Sequence, residues 1–321
     1  MLTAATEYLR SLSAGVAAAW NRFWFTPSDA YPLGLIRLLT GLLATYFHLT
    51  LLPDVERFFA AGGWLSPEAV ERLAVRGGTA SLLDFVSSPS ELLAAHLAGL
   101  AVLVVFTLGL WSRITSFLAL AVILSDVHRG PMLTSQFEPV LTMVLCYLCL
   151  GPSGASWSLD RLLAVRRATT PVAQAALANA KASWTATIAI RLIQVHLAML
   201  VATMGAAKLY GGTWWVGSAV WWLATRPESR LVDLTFLGEY AINFWTHVIV
   251  AVELAFPVLV WVPLLRPLML VLAGVVWISL ALLTGQVTFA AMMLVASISF
   301  CSPELLRSCC CTARRPAAAA A

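Results

Sequence analysis

Long unbroken apolar runs, separated by shorter polar connections, dominate the chain. They lie near residues 32–52, 91–110, 114–128, 136–151, 185–207, 244–262, 266–284 and 287–302. A helix needs about 20 apolar residues to cross the hydrocarbon of a bilayer. The runs do not alternate with period two, as barrel strands would, so helices are the expected spanning elements. The predicted fold class is therefore all-α: a polytopic helical membrane protein with about eight transmembrane helices. The third, fourth and eighth runs are short, which predicts tilted or re-entrant segments. Residues 11–25 (SLSAGVAAAWNRFWF) read as an N-terminal interfacial helix with Trp20, Phe23, Trp24 and Phe25 at headgroup depth. Residues 53–90 form a polar loop, with a short helix expected from Pro67 to Val75 behind a Ser66 cap. Residues 209–243 form a second long loop, rich in Trp. The chain thus divides into an N-terminal cytoplasmic or interfacial segment (1–29), a transmembrane domain (30–306) and a disordered cytoplasmic tail (307–321) that ends in polyalanine.

Composition supports the membrane reading. Of 321 residues, 60% are hydrophobic and 11% charged, against roughly 25% charged in soluble domains. The net charge of +4 comes from dispersed arginines rather than a basic patch, so nucleic-acid binding has no basis. The six cysteines show no extracellular disulfide spacing, and the N-terminus carries no cleavable signal. With an even number of spans both termini lie on one side. That side holds Arg10, Arg22, Arg113, Arg161, Arg166, Arg167, Lys181, Arg266, Arg307, Arg314 and Arg315. The other holds Arg57, Arg72, Arg76, Arg129, Arg226, Arg230 and Lys208. The excess places both termini in the cytoplasm, as expected for a multi-pass protein of a bacterial inner membrane.

In this orientation His48, His96, Asp126, His128, Arg129, Glu138, Lys208 and His247 all fall toward the non-cytoplasmic side. Ionisable groups gathered at one depth suggest a polar pocket opening outward, although single histidines at helix ends commonly snorkel to the interface. His196 maps to mid-membrane. Arg37, Arg191 and Glu253 lie deeper than the interface and read as structural pairing between helices. Lys208 lies between small residues and a double glycine, in Gly205-Ala-Ala-Lys208-Leu-Tyr-Gly211-Gly212-Thr-Trp214. An amine in a dry pocket loses basicity and can act as a general base. A snorkelling lysine is the plainer alternative. No paired histidine spacing supports a metal site among His48, His96, His128 and His247.

Several segments taken in order carry a family resemblance. They are Leu33-Gly34-Leu35-Ile36-Arg37-Leu38-Leu39-Thr40-Gly41, the stretch from His128-Arg129-Gly130-Pro131 to Trp157-Ser158-Leu159-Asp160-Arg161, the stretch from Arg191 to Ala207-Lys208-Leu209 and Trp214, and Glu253-Leu254-Ala255-Phe256-Pro257. Together they resemble the horizontally transferred transmembrane (HTTM) domain family, which includes the membrane domain of vitamin K-dependent gamma-carboxylase. The resemblance implies a catalytic base at Lys208, a proton partner at His128, and a reduced, vitamin K-like quinone as cofactor or substrate. Arg129, Trp214, Glu138 and His247 become candidates for the substrate pocket. The chain departs from the carboxylase in lacking the large soluble domain that follows its membrane part. It also has no histidine in the seventh span, where Val276-Trp277-Ile278-Ser279 stands.

The leading functional expectation is a membrane-embedded enzyme acting on a quinone-like or other lipidic molecule. The alternative is a non-enzymatic membrane protein that handles, or gives immunity to, a secreted peptide together with a peptide or protein partner. In that case Trp214, Trp215, Trp221 and Trp222 supply contact surface. Transport is disfavoured because no internal repeat is visible.

Overall fold

The computed structural model describes residues 2–60, 62–66, 72, 81–86, 88–170, 182–228, 230–233 and 236–311. Among these, every element is helical apart from one isolated bridge between Ser28 and Ser183. The α-helices are α1 (Leu2–Phe25), α2 (Tyr31–Leu51), α3 (Val55–Phe59), α4 (Pro89–Leu108), α5 (Ser112–Arg129), α6 (Phe137–Leu150), α7 (Leu159–Arg167), α8 (Trp184–Leu209), α9 (Gly212–Trp215), α10 (Ala219–Ala224), α11 (Glu239–Leu259), α12 (Arg266–Thr284), α13 (Val287–Ser297) and α14 (Pro303–Cys311).

Among the described residues, five helices are long and apolar enough to cross a membrane: Tyr31–Phe59 (α2 running on into α3), α4, α8, α11 and α12. The pair Val287–Phe300 and Pro303–Cys309, bent by 120°, brings the number to six if it is one span. Helix α6 is apolar but has only 14 residues, and the 18 residues of α5 include Arg113, Asp126 and Arg129. The Trp-rich segment read as loop carries two short helices, α9 and α10. The N-terminal helix begins at Leu2, well before residue 11. The helix expected over 67–75 lies, apart from Arg72, outside the described residues, as does the polyalanine end. Helix α14 runs through the first residues of the segment read as tail.

Local chemistry sets the helix ends. Ser88 and Glu91 form a reciprocal capping box ahead of α4, with Pro89 in the first turn. The same helix stops at Gly109, whose φ of +73° is a left-handed conformation that costs glycine nothing. Ser183 accepts from the Ala186 amide and starts α8.

The helices pack in two groups. In one, α2 packs on α4, α5 and α6, and α5 also lies against α4 and α6. In the other, α8 packs on α11 and α13, with α12 against α11 and α13. Helices α6 and α13 meet each other and both touch α2, so these three tie the groups together. The shared interior is filled by Leu33, Ile36, Phe106, Leu141, Leu145, Phe256, Trp277 and Met292. Outward faces stay apolar, with Leu42, Leu97, Phe117, Met199, Val271 and Ile278 exposed. An apolar surface of this extent calls for lipid rather than water. The Arg191 guanidinium stacks on Phe23 at 4.4 Å and donates to Phe23 O, which ties α1 to α8.

Arg37 holds the first group in register. It is completely buried. Its Nη1 donates to Phe106 O at 2.6 Å and Thr107 O at 2.7 Å, its Nε donates to Ser153 O at 3.2 Å, and its Nη2 donates to Trp157 O. Phe106 and Thr107 lie in the last turn of α4, where carbonyls run beyond the regular helical ladder (Phe106 O also accepts from the Gly109 amide at 3.0 Å), and a cation there also answers the helix dipole. A side chain on Gly109 would collide with this arrangement, since its Cβ would lie 2.8 Å from the Arg37 guanidinium carbon. An Arg37→Lys substitution keeps the charge but loses the planar fork. It is expected to cost about 2–4 kcal/mol, the worth of one or two charge-assisted hydrogen bonds, read as a lower thermal unfolding midpoint in nanodiscs. An unchanged midpoint contradicts this role.

Candidate functional site

Helices α8 and α11 approach most closely around Gly205, where a Cβ would lie 3.1 Å from Glu253 Cβ. Lys208 lies one turn further on the same face of α8. Its Nζ donates to both carboxylate oxygens of Glu253, at 2.8 and 2.6 Å. Glu253 is sealed, with 1% of its side chain exposed, whereas 13% of Lys208 remains accessible. The accessible side faces the Trp214 ring, whose centroid lies 5.1 Å from Nζ. Trp214 is placed by α9, which is fastened to the helix bundle in three ways. Trp215 Nε1 donates to Leu209 O, Asn243 Nδ2 donates to Val216 O at 2.9 Å, and His247 Nε2 lies 3.2 Å from Trp215 O.

Lys208 and Trp214 line a cavity of about 830 Å3, within the range of small-molecule sites. Its wall comes from both helix groups. Leu200, Met204 and Ala207 of α8 face Pro139 and Val140 of α6, Leu280 and Ala281 of α12, and Phe289 of α13. The polar lining is sparse: Lys208, Arg226, Gln136, Gln286, Thr213 and Thr284. Trp277 also contributes to the wall, and its buried Nε1 has no hydrogen-bond acceptor among the described residues. A largely apolar hollow with a few fixed polar groups suits a molecule with a polar head and an apolar body.

The sequence candidates therefore separate. Lys208 and Trp214 meet at the cavity, while His128, Arg129, Glu138 and His247 are not among the residues that line it. Glu138 is occupied at the start of α6, accepting from the amide and hydroxyl of Ser135 at 2.6 and 2.9 Å. Arg129 is buried, donates to Phe59 O at 2.8 Å and lies 3.6 Å from Asp84. His247 is exposed, and its Nδ1 lies 2.9 Å from Asn243 O. Glu253 does pair between helices, but with Lys208 rather than with a guanidinium. Arg37 is engaged by backbone carbonyls. Arg191 bonds Gln194 Oε1 at 2.9 Å and Phe23 O.

A second polar cluster lies between α2, α4 and α5. His48 Nδ1 is 2.6 Å from Asp126 Oδ2, and the His48 and His96 rings stack at 3.7 Å. Sequence reasoning placed all three residues at one depth but did not join them, because they come from three separate helices. It also missed the contact of Tyr147 with His196, where the phenol oxygen is 2.8 Å from Nδ1.

No protein-family model, no curated protein and no solved structure matches the chain. Its class is defined by the fold and the site alone: an all-helical chain, with five to six helices suited to a membrane, built around an internal amine–carboxylate pair that borders a cavity.

Breaking a buried ion pair strands a charge, whereas replacing both partners does not. Lys208→Met alone is expected to destabilise the protein by roughly 3–5 kcal/mol. The double variant Lys208→Met/Glu253→Leu is expected to recover most of that loss, as read by thermal unfolding in nanodiscs. Single-variant costs that simply add in the double variant argue against direct coupling.

Proposed function

We propose that the chain is a membrane-embedded enzyme of the HTTM type that takes a quinone-like or other lipidic substrate into the 830 Å3 cavity and uses Lys208 as its base. The observation that carries this reading is the bidentate Lys208–Glu253 contact, at 2.8 and 2.6 Å, on the wall of an apolar hollow. A structural ion pair could be closed off on all sides. This one presents its amine to space large enough for a ring system.

At this separation one ammonium proton of Lys208 can pass to Glu253. With that proton on Glu253, the Lys208 nitrogen has a lone pair for a substrate hydroxyl. Transfer of the hydroxyl proton then leaves an oxyanion beside the new ammonium. Trp277 Nε1–H, which lacks an acceptor among the described residues, and the amides of Gln136 and Gln286 are available to substrate oxygens. Carbon dioxide or oxygen are the co-substrates that the carboxylase resemblance suggests.

The same reading gives eight crossings with both termini cytoplasmic. The support is that α2, α4, α5, α6, α8, α11, α12 and α13 each coincide with one apolar run. Of these, α5 has 18 residues and α6 has 14, or about 27 and 21 Å at 1.5 Å per residue. The shorter of them fits a locally thinned bilayer.

Purified protein in lipid is supplied with a reduced naphthoquinone, with and without bicarbonate, and oxygen-dependent oxidation is followed. Parent activity is expected to fall by about 10²–10⁴-fold in both Lys208→Ala and Lys208→Arg, the usual worth of a general base. A folded parent that oxidises none of the quinols tried, or a Lys208→Arg variant at full rate, overturns the assignment. The first of these outcomes favours the peptide-handling alternative.

A further inference from the structure

The geometry points to a binding site for a divalent first-row transition-metal ion formed by His48, His96 and Asp126, with both Nδ1 atoms and one carboxylate oxygen as ligands. All three residues are buried, and their donor atoms lie within 4.8 Å of one another. The case rests on where the protons must be.

His48 Nε2 lies 2.9 Å from His96 O, and His96 Nε2 lies 2.9 Å from His48 O. A carbonyl oxygen only accepts, so both Nε2 atoms carry hydrogen. In the neutral rings both Nδ1 atoms are then bare lone pairs. A ring nitrogen that donates its other N–H to a backbone carbonyl is the orientation that metal-binding histidines adopt, because it fixes the tautomer and the ring plane.

The two Nδ1 atoms differ in what they meet. His48 Nδ1 faces Asp126 Oδ2 at 2.6 Å. A lone pair and a carboxylate oxygen are both acceptors, so at that distance a proton lies between them, and a metal ion bound by both would displace it. His96 Nδ1 is buried and has no hydrogen-bond partner among the described residues. Protonation does not resolve this second nitrogen, because the rings stack at 3.7 Å with 15° between their planes. A charge on both rings would set two cations face to face. One divalent ion satisfies both nitrogens and the carboxylate together.

Zinc takes nitrogen ligands at about 2.0–2.1 Å, so capture requires the rings to turn off their stack and the His48–Asp126 hydrogen bond to give way to coordination. Two imidazoles and a carboxylate suit zinc, cobalt or iron rather than magnesium or calcium. The backbone allows the ring of His48 to be there at all: a Cβ on Gly99 would lie 3.1 Å from His48 Nε2. None of the three ligands lines the Lys208 cavity, so this site stands apart from the reading of that cavity.

The test uses the intact protein in nanodiscs, stripped with chelator and titrated with zinc and with cobalt. One ion per chain is expected at micromolar or lower concentration, with visible cobalt d–d bands and a zinc-dependent rise in unfolding temperature. His96→Ala and Asp126→Asn are each expected to weaken zinc binding by about 100-fold or more, whereas His196→Ala, at a histidine elsewhere in the fold, leaves it unchanged. His96→Ala keeps the His48–Asp126 contact and so separates ligand loss from misfolding. A folded, stripped parent that binds no zinc at micromolar concentration overturns the proposal, and so does binding that survives both ligand variants.

Discussion

Arg37 shows the constraint under which the whole molecule is built. Inside a bilayer no water is available to a polar group, so every such group must be satisfied by protein. The last carbonyls of α4 and those of the turn after α6 lie beyond the regular helical ladder. Arg37 reaches them from the second turn of α2 and donates hydrogen bonds to the carbonyls of Phe106, Thr107, Ser153 and Trp157. One side chain thus sets the level at which three chain segments meet. That level then places the rest of α2. His48 lies eleven residues further along, about 16 Å away at helical rise. The register fixed at one end of the helix therefore delivers an imidazole to α4 and α5 at the other.

The same rule governs α8 and α11, with a different solution. There a carboxylate is answered by an amine, and the pair lies where Gly205 lets the backbones approach. Small residues at such crossings are the usual means of close packing in membranes. A buried ion pair contributes little net stability once desolvation is counted. What the pair does fix is the position of the amine beside the cavity. The charge of Lys208 also falls in the last turn of its helix, where the macrodipole favours a cation.

The helices were largely legible in the sequence, and their partners were not. Apolar runs at 32–52 and 266–284 match α2 and α12 within a residue, because a long run of apolar residues has few other ways to satisfy its backbone in lipid. Helices α9 and α10 were read as loop because four and six residues hold too little of a helical period to recognise. Depth was legible too, since helix ends follow from run lengths, and it put His48, His96 and Asp126 at one level. Depth does not give azimuth, however. Whether Glu253 faces Lys208, Arg37 or Arg191 depends on which helices are neighbours and how each is rotated, and run lengths carry neither. The separations of 48 residues between His48 and His96, and 78 between His48 and Asp126, likewise lie beyond any local spacing motif.

Access distinguishes the two polar clusters more sharply than composition does. His48, His96 and Asp126 are buried between α2, α4 and α5, with ring stacked on ring. The three groups hold one another in place. Lys208 is tethered to a sealed carboxylate on one side and faces a volume of about 830 Å3 on the other. In the proposed reaction Lys208 exchanges a proton with a molecule that enters and leaves this space. Both clusters arise because ionisable side chains in a bilayer must find one another. What each can do is decided by the space the surrounding apolar side chains leave next to it.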